Sequence, residues 1–174
     1  MKGVIVDCVH NMVVDKYGQE KWDTILEEAG IEKGEVLLVT DDIEDQKVMR
    51  LFQGIGKNLQ MDFDQIAEVF GDYWINSYTS KNYPMYYRGI NSTKDFLLNM
   101  DKVHQAATKS IPNAKPPRFD YNWKQDNVLA MHYKSERGLI DLMIGVIKGV
   151  AKYYQETIDI KKIDETEVEI TFPE

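Results

Sequence analysis

Apolar residues recur at helical spacing over residues 2–17 and 19–29, with Gly18 and Gly30 placed where each run breaks. The same period predicts helices over Glu44–Gly56 and over Asp62–Ser80, the second preceded by Met61 and rich in aromatics. Residues 82–90 contain Pro84 and read as a loop. A further helix is expected from about Ser92 to Ser110, where Phe96, Met100, Val103, His104 and Ala107 share one apolar face. The period then changes. Arg118–Lys124 and Val128–Ser135 alternate enough to pair as a hairpin across Gln125-Asp126-Asn127. Leu139–Tyr154 is a strongly apolar helix, and Thr157–Lys162 and Glu165–Phe172 carry enough β-branched residues to close the sheet. Helices followed by a sheet with an inserted helix define an α+β fold: a helical N-terminal part and a C-terminal antiparallel sheet with packed helices.

Side chains on a strand alternate between faces, so an extended Tyr133–Arg137 would present Tyr133, Ser135 and Arg137 on one side and His132 on the other. Two hydroxyls and a guanidinium fork suit a ligand with more than one carboxylate, because Arg pairs bidentately and hydroxyls satisfy the remaining lone pairs. Such a string alone is weak evidence, since many amphipathic strands carry hydroxyls and a base. Likewise, a single His on an apolar helix face is usually a core histidine. Together they point further: haem has two propionates, and His104 could supply the axial nitrogen its iron needs.

The matching pieces Met1-Lys2-Gly3, Met100-Asp101-Lys102-Val103-His104, Lys115-Pro116-Pro117-Arg118 and Tyr133-x-Ser135-x-Arg137 span essentially the whole chain. In their order and spacing they resemble the haem-nitric oxide/oxygen binding family, H-NOX. That family includes bacterial gas sensors and the haem domain of soluble guanylate cyclase. The resemblance implies a single haem-binding domain over residues 1–174, with an N-terminal helical subdomain of about 1–60 and a haem-ligating subdomain of about 61–174. It implies that the sheet and its packed helices enclose haem b (iron protoporphyrin IX). His104 would be the proximal iron ligand, Tyr133, Ser135 and Arg137 the propionate clamp, and Pro117 the residue that presses on the macrocycle and bends it. Ile5, Val9, Trp74, Tyr78, Leu142 and Val146 would complete the cofactor site.

The resemblance also bears on the gas. Members that hold O₂ stably use a pocket tyrosine, and the matching position here is Leu142. The two residues that support that tyrosine correspond to Val9 and Trp74. Bound O₂ carries partial negative charge and gains on the order of 1 kcal/mol from a donor in a dry pocket. NO depends on one much less. The expectation is a ferrous haem that binds NO and CO and excludes O₂. Tyr78 qualifies it: four residues after Trp74, it shares a helix face with it and could point inward. NO would weaken the bond opposite and free His104, relaxing its helix against Pro117, and a partner would read the change. No kinase, cyclase or DNA-binding segment is expected in the chain, so a partner would have to produce the signal. In bacterial members the partner is often a histidine kinase or a cyclic-di-GMP enzyme. The alternative is a haem enzyme, a peroxidase or an NO dioxygenase. A peroxidase needs a distal acid–base residue and usually an Arg, which Val9, Trp74 and Leu142 do not offer. A haem-free domain with His104 in its core is a third reading.

Composition narrows the field. With 174 residues and 43% hydrophobic content, the chain can bury one sizeable core and still hold an internal ligand. A formal charge of -8 argues against general nucleic-acid binding. A single cysteine, Cys8, excludes an internal disulfide and any Cys-rich metal site, and reads as a small buried hydrophobe. Asp7, His10 and Asn11 interrupt the apolar start, so it is no signal-peptide core, and no run is long enough to span a bilayer. A cytoplasmic location follows as the expectation. Asp41-Asp42-Ile43-Glu44-Asp45 lacks the glycine and terminal glutamate of a calcium loop and reads as a solvated lead into a helix. Gly54-Ile55-Gly56-Lys57 lacks the spacing of a phosphate loop and reads as a helix end. His10 sits beside Val6, Val9 and Val13 and is expected to lie to one side while the valines are buried.

Overall fold

The computed structural model describes every residue except Lys33, Val36 and Glu174. Four helices come first: α1 (Gly3–Tyr17), α2 (Gln19–Glu28), α3 (Asp45–Leu59) and α4 (Phe63–Tyr73). α4 runs into a π-helical segment (Trp74–Thr79) and a short helical turn, α5 (Ser80–Asn82). A 3₁₀ turn over Pro84–Tyr86 leads to α6 (Thr93–Thr108). Strands β1 (Arg118–Gln125) and β2 (Val128–Lys134), helix α7 (Ile140–Tyr154), and strands β3 (Asp159–Lys162) and β4 (Glu167–Thr171) complete the chain. The four strands form one antiparallel sheet in the order β1-β2-β4-β3. This is the α+β architecture the sequence pattern predicts.

Local chemistry explains where the elements start and stop. Asp62 and Gln65 form a reciprocal capping box on α4: the Asp62 side chain accepts from the Gln65 amide at 2.8 Å, and the Gln65 side chain accepts from the Asp62 amide at 3.0 Å. Ser92 caps α6 by accepting from the Asp95 amide at 3.1 Å. Two boundaries differ from the sequence reading. The helix expected to stop at Gly56 continues to Leu59, and its left-handed cap is Gln60, not a glycine. Gly54 instead lies where a β-carbon would press on Ile25 of α2. The single helix expected over Asp62–Ser80 is widened into a π-turn from Trp74 onward, and the predicted 82–90 loop contains the 3₁₀ turn.

Burial divides the apolar side chains into two clusters. The first gathers α1–α4, for example Val9, Met12, Ile25, Leu51, Phe52 and Phe70, and also takes Tyr78 and Leu142. The second lies between the sheet and helices α6 and α7, with Leu97, Phe119, Met131, Tyr133 and Ile147. Trp74, Leu139 and Val146 are half-buried and pack against both. α4 and α7 cross at backbone contact: a β-carbon on Gly145 would lie 2.0 Å from the Ala67 carbonyl oxygen, and one on Gly71 would lie 2.1 Å from the Gly145 backbone. Cys8 is fully buried, as are Val9 and Val13, with Val6 nearly so, while His10 is half-buried with its ring 5.0 Å from Trp22. Among the described residues no helix is long and apolar enough to cross a membrane.

Candidate functional site

His104 sits three turns along α6, half-buried, with its ring centroid 5.4 Å from that of Phe119 on β1. Its Nδ1 lies 2.9 Å from the carbonyl oxygen of Pro117. A carbonyl can only accept, so Nδ1 carries the proton and Nε2 keeps its lone pair. Burial, the largest influence, holds the imidazole below its ordinary pKa of 6.5 and outweighs the help that the Pro117 carbonyl and Asp101 give the charged form. A neutral imidazole, oriented through one nitrogen and open at the other, is a metal ligand ready to bind. The acceptor, a main-chain atom, has no signature in the sequence.

The helix is fixed beside β1 by Asp101, three residues earlier. Its carboxylate receives Arg118 Nε at 2.6 Å, Arg118 Nη2 at 2.8 Å and the Phe119 amide at 3.1 Å. The bidentate Arg118 pairing, more than any other influence, drives the Asp101 pKa well below the usual carboxylate range. Because Pro117, Arg118 and Phe119 are consecutive, one short segment both orients the His104 ring and anchors its helix.

The expected clamp is built differently from its prediction. β2 ends at Lys134, so Ser135 lies past the strand and Glu136-Arg137 form a turn; strand alternation therefore does not align Tyr133, Ser135 and Arg137. The Arg137 amide donates to Ser135 Oγ at 3.3 Å, the geometry of a hydroxyl-closed turn, and Gly138 follows at φ +61°. Tyr133 is buried in the second cluster opposite Phe119, with the ring centroids 6.2 Å apart. The Arg137 guanidinium reaches out, donating to Asp45 at 2.8 Å and to the Lys115 carbonyl at 2.7 Å. Asp45 also receives the Met1 amino group at 2.5 Å. Burial raises its pKa, but the amino terminus and Arg137 together leave it below the usual carboxylate value. His132 faces away from the core, 3.0 Å from Glu167.

The remaining candidates come from three elements and meet at one cluster. Val9 of α1, Tyr78 of the π-segment and Leu142 of α7 are buried members of the first cluster, and Ile5, Trp74 and Val146 pack half-buried against it. Trp74 stacks between Phe70 (5.7 Å) and Tyr78 (5.6 Å). The Tyr78 hydroxyl is engaged: it donates to Asp7 Oδ2 at 2.5 Å. Sequence reasoning did not single out Asp7 as a site residue, although a carboxylate inside the apolar start of α1 was a visible signal.

The donor set fits a haem. It supplies one neutral imidazole nitrogen, a half-buried apolar boundary formed by Trp74, Leu139 and Val146 between two packed clusters, and a hydroxyl-and-guanidinium turn past the end of β2. The fold defines an α+β domain in which one neutral imidazole is oriented through its Nδ1 on the Pro117 carbonyl. The family model described as Haem-NO-binding matches residues 2–162, and the chain belongs to that family, the H-NOX sensor domains. Among solved structures, it resembles an oxygen-binding H-NOX domain related to soluble guanylate cyclases, in its oxygen complex. The identity is 30% and the TM-score 0.85, covering 100% of this chain and 96% of the other. A structure solved for insights into the molecular mechanism of H-NOX activation matches at 29% identity and a TM-score of 0.87, covering 100% and 97%. Soluble guanylate cyclase gcy-34 of Caenorhabditis elegans is 30% identical over 156 residues, which cover 87% of this chain and 23% of that protein. Soluble guanylate cyclase gcy-35 of the same organism is 24% identical over 173 residues, covering 97% and 25%. The chain thus spans about a quarter of the length of these curated relatives. The matched family is one of sensor domains, not of catalytic ones.

Proposed function

We propose that the protein senses nitric oxide through a haem b held by His104, binding NO and CO and excluding O₂. The observation that carries the reading is the neutral His104, whose Nδ1–H is fixed on the Pro117 carbonyl and whose Nε2 is left as a ligand. Haem bound there would supply an iron able to bind a diatomic gas. The chain's own residues do the rest. His104 Nε2 would hold the iron, and Pro117 would orient the ligand through its carbonyl while bordering the macrocycle. Tyr133, Ser135 and Arg137 would take the propionates, with Arg137 exchanging part of its present pairing with Asp45. Ile5, Val9, Leu142 and Val146 would wall the gas side with apolar surface, and the stacked rings of Trp74 and Tyr78 would complete that wall.

One relative binds oxygen, so membership of the family does not by itself select the gas. The side chains argue for exclusion of O₂. Val9 and Leu142 carry no donor, and the Tyr78 hydroxyl proton is committed to Asp7. The same wall has no residue suited to general acid–base work at an O–O bond, which argues against a peroxidase. As a sensor, the domain would act on a partner or a linked unit. Guanylate cyclases are the larger relatives, and a histidine kinase or a cyclic-di-GMP enzyme is the partner class we favour for a domain of this kind.

Absorption spectra of the purified ferrous protein decide the matter: first without gas, then with NO, then in air. A spectrum that shifts with NO and CO and ignores air is expected. A stable oxygen complex would refute the selectivity, and absence of any haem band after expression with haem available would refute the whole reading.

A further inference from the structure

Two tyrosine-to-aspartate bonds tie α1 to the helix that carries the distal wall. Near the C-terminal end of α1, Tyr73 donates to Asp15 at 2.5 Å; near its start, Tyr78 donates to Asp7 at 2.5 Å. Their placements differ in one respect. Tyr73 precedes the π-segment, whereas Tyr78 lies within it, stacked on the Trp74 ring at 5.6 Å and 18°. Trp74 is one of the half-buried residues that span the two clusters. The Tyr78 ring therefore borders the proposed gas wall, and the direction of its hydroxyl decides whether that wall gains a hydroxyl donor beside the Trp74 indole.

That direction is set by α1. Ile5 and Val9 are one turn apart on one face, while Asp7, two residues from either, falls roughly 160° around the helix at 100° per residue. A hydroxyl anchored on Asp7 is drawn to the far flank of α1. Asn11, one turn later, donates to the same carboxylate oxygen at 3.4 Å and steadies it from the other side. Asp7 also lines a cavity of about 280 Å³ with Val6, His10 and Trp22, and this opening lets a carboxylate occupy an otherwise apolar stretch without full desolvation.

We propose that Asp7 is a positioning residue for gas selectivity: by holding the Tyr78 hydroxyl on the far side of α1, it denies bound O₂ the hydroxyl donor that Tyr78 would otherwise bring to the distal wall. This rests on the reading of the chain as a haem gas sensor. The principle is general: donors in a distal pocket favour O₂, whose bound form carries negative charge, and matter little to NO. One neutral hydrogen bond in a dry site corresponds to about a tenfold change in affinity.

The test has two readouts. In proton NMR of the protein without haem, the Tyr78 hydroxyl proton should give a slowly exchanging signal. The signal should vanish in Tyr78→Phe and in Asp7→Leu, which keeps the branched shape but removes the acceptor, and survive in Asp7→Asn. In the haem-loaded ferrous protein, Asp7→Leu should raise O₂ affinity about tenfold, and Asp7→Ala provides a second variant should Leu perturb packing. Asp7→Asn should behave as wild type, and Asp7→Leu with Tyr78→Phe should lose the gain. Tyr73→Phe, which breaks the equivalent bond to Asp15, should leave O₂ binding unchanged. Unchanged O₂ affinity in Asp7→Leu, or a gain that persists without the Tyr78 hydroxyl, would overturn the proposal. NO binding is the control. Its loss from the wild-type protein would overturn the sensor reading beneath the proposal, whereas altered O₂ behaviour with NO intact speaks to Asp7 alone.

Discussion

A few individual contacts decide what this chain can do, and their legibility in the sequence varied sharply. His104 stood out through its company, the Pro116-Pro117 pair and the Tyr133-x-Ser135-x-Arg137 string, because a lone imidazole on an apolar helix face is usually a core residue. Its helix, its face and its partial burial are all present in the structure. Its hydrogen-bond acceptor did not stand out, because a carbonyl belongs to every residue, and only the fold brings that of Pro117 within 2.9 Å. Asp7 was visible as an interruption of an apolar run, yet its partner lies 71 residues away. Asp101 makes a prediction at this scale. Its folded pKa lies below the ordinary 3.8, with Arg118 as the leading cause. Its stabilising effect is therefore complete above that value and lost as the pH falls through the lower, folded one. Asp101→Asn should remove this dependence, so that its acid-unfolding curve is flatter than wild type below pH 3.8. Parallel curves followed by circular dichroism would contradict the role given to the Asp101–Arg118 pair.

The elements were read with more success than their irregularities. Periodicity located every long helix and all four strands within a few residues, since burial on one face imposes a 3.6 or a 2 repeat on the sequence. It missed the π-turn in Trp74–Thr79, because a widened turn uses residues that also suit an α-helix. What permits the turn is tertiary. The Thr79 hydroxyl donates to the Trp74 carbonyl at 2.7 Å, and the Tyr87 hydroxyl, from the following loop, donates to the Ile75 carbonyl at 3.1 Å. It also missed the end of β2, where a side-chain turn at Ser135 replaces the last strand residues. The crossing of α4 and α7 shows the same dependence on neighbours. Gly145 and Gly149 lie inside a helix that its apolar pattern locates, and the structure uses them for backbone contact with Ala67 and Gly71. Gly145→Ala places a methyl group 2.0 Å from a carbonyl oxygen that has no rotamer to change. Forcing the helices apart should cost about 3 kcal/mol or more, measured by urea denaturation. A loss below about 1 kcal/mol would mean that the crossing adjusts freely.

At the scale of the whole molecule, two apolar clusters share a boundary at Trp74, Leu139 and Val146, and a polar junction of Asp45 with Arg137 and the Met1 amino group bridges the start of α3 to the turn after β2. That junction was not legible in the sequence, because Asp45 and Arg137 are 92 residues apart. A cofactor between the clusters would touch both halves through different residues, His104 and Arg137 on one side and the distal wall on the other. Release of either contact would let the halves move relative to one another, which is the property a sensor needs. The account stands on His104 Nε2 being the iron ligand. Resonance Raman of the ferrous, gas-free protein tests this most directly through its iron–nitrogen stretching band. The band should shift when the histidines carry ¹⁵N, disappear in His104→Gly, and return when imidazole is added to that variant. A band that ignores the label, or that persists in His104→Gly without imidazole, would show that another residue holds the iron.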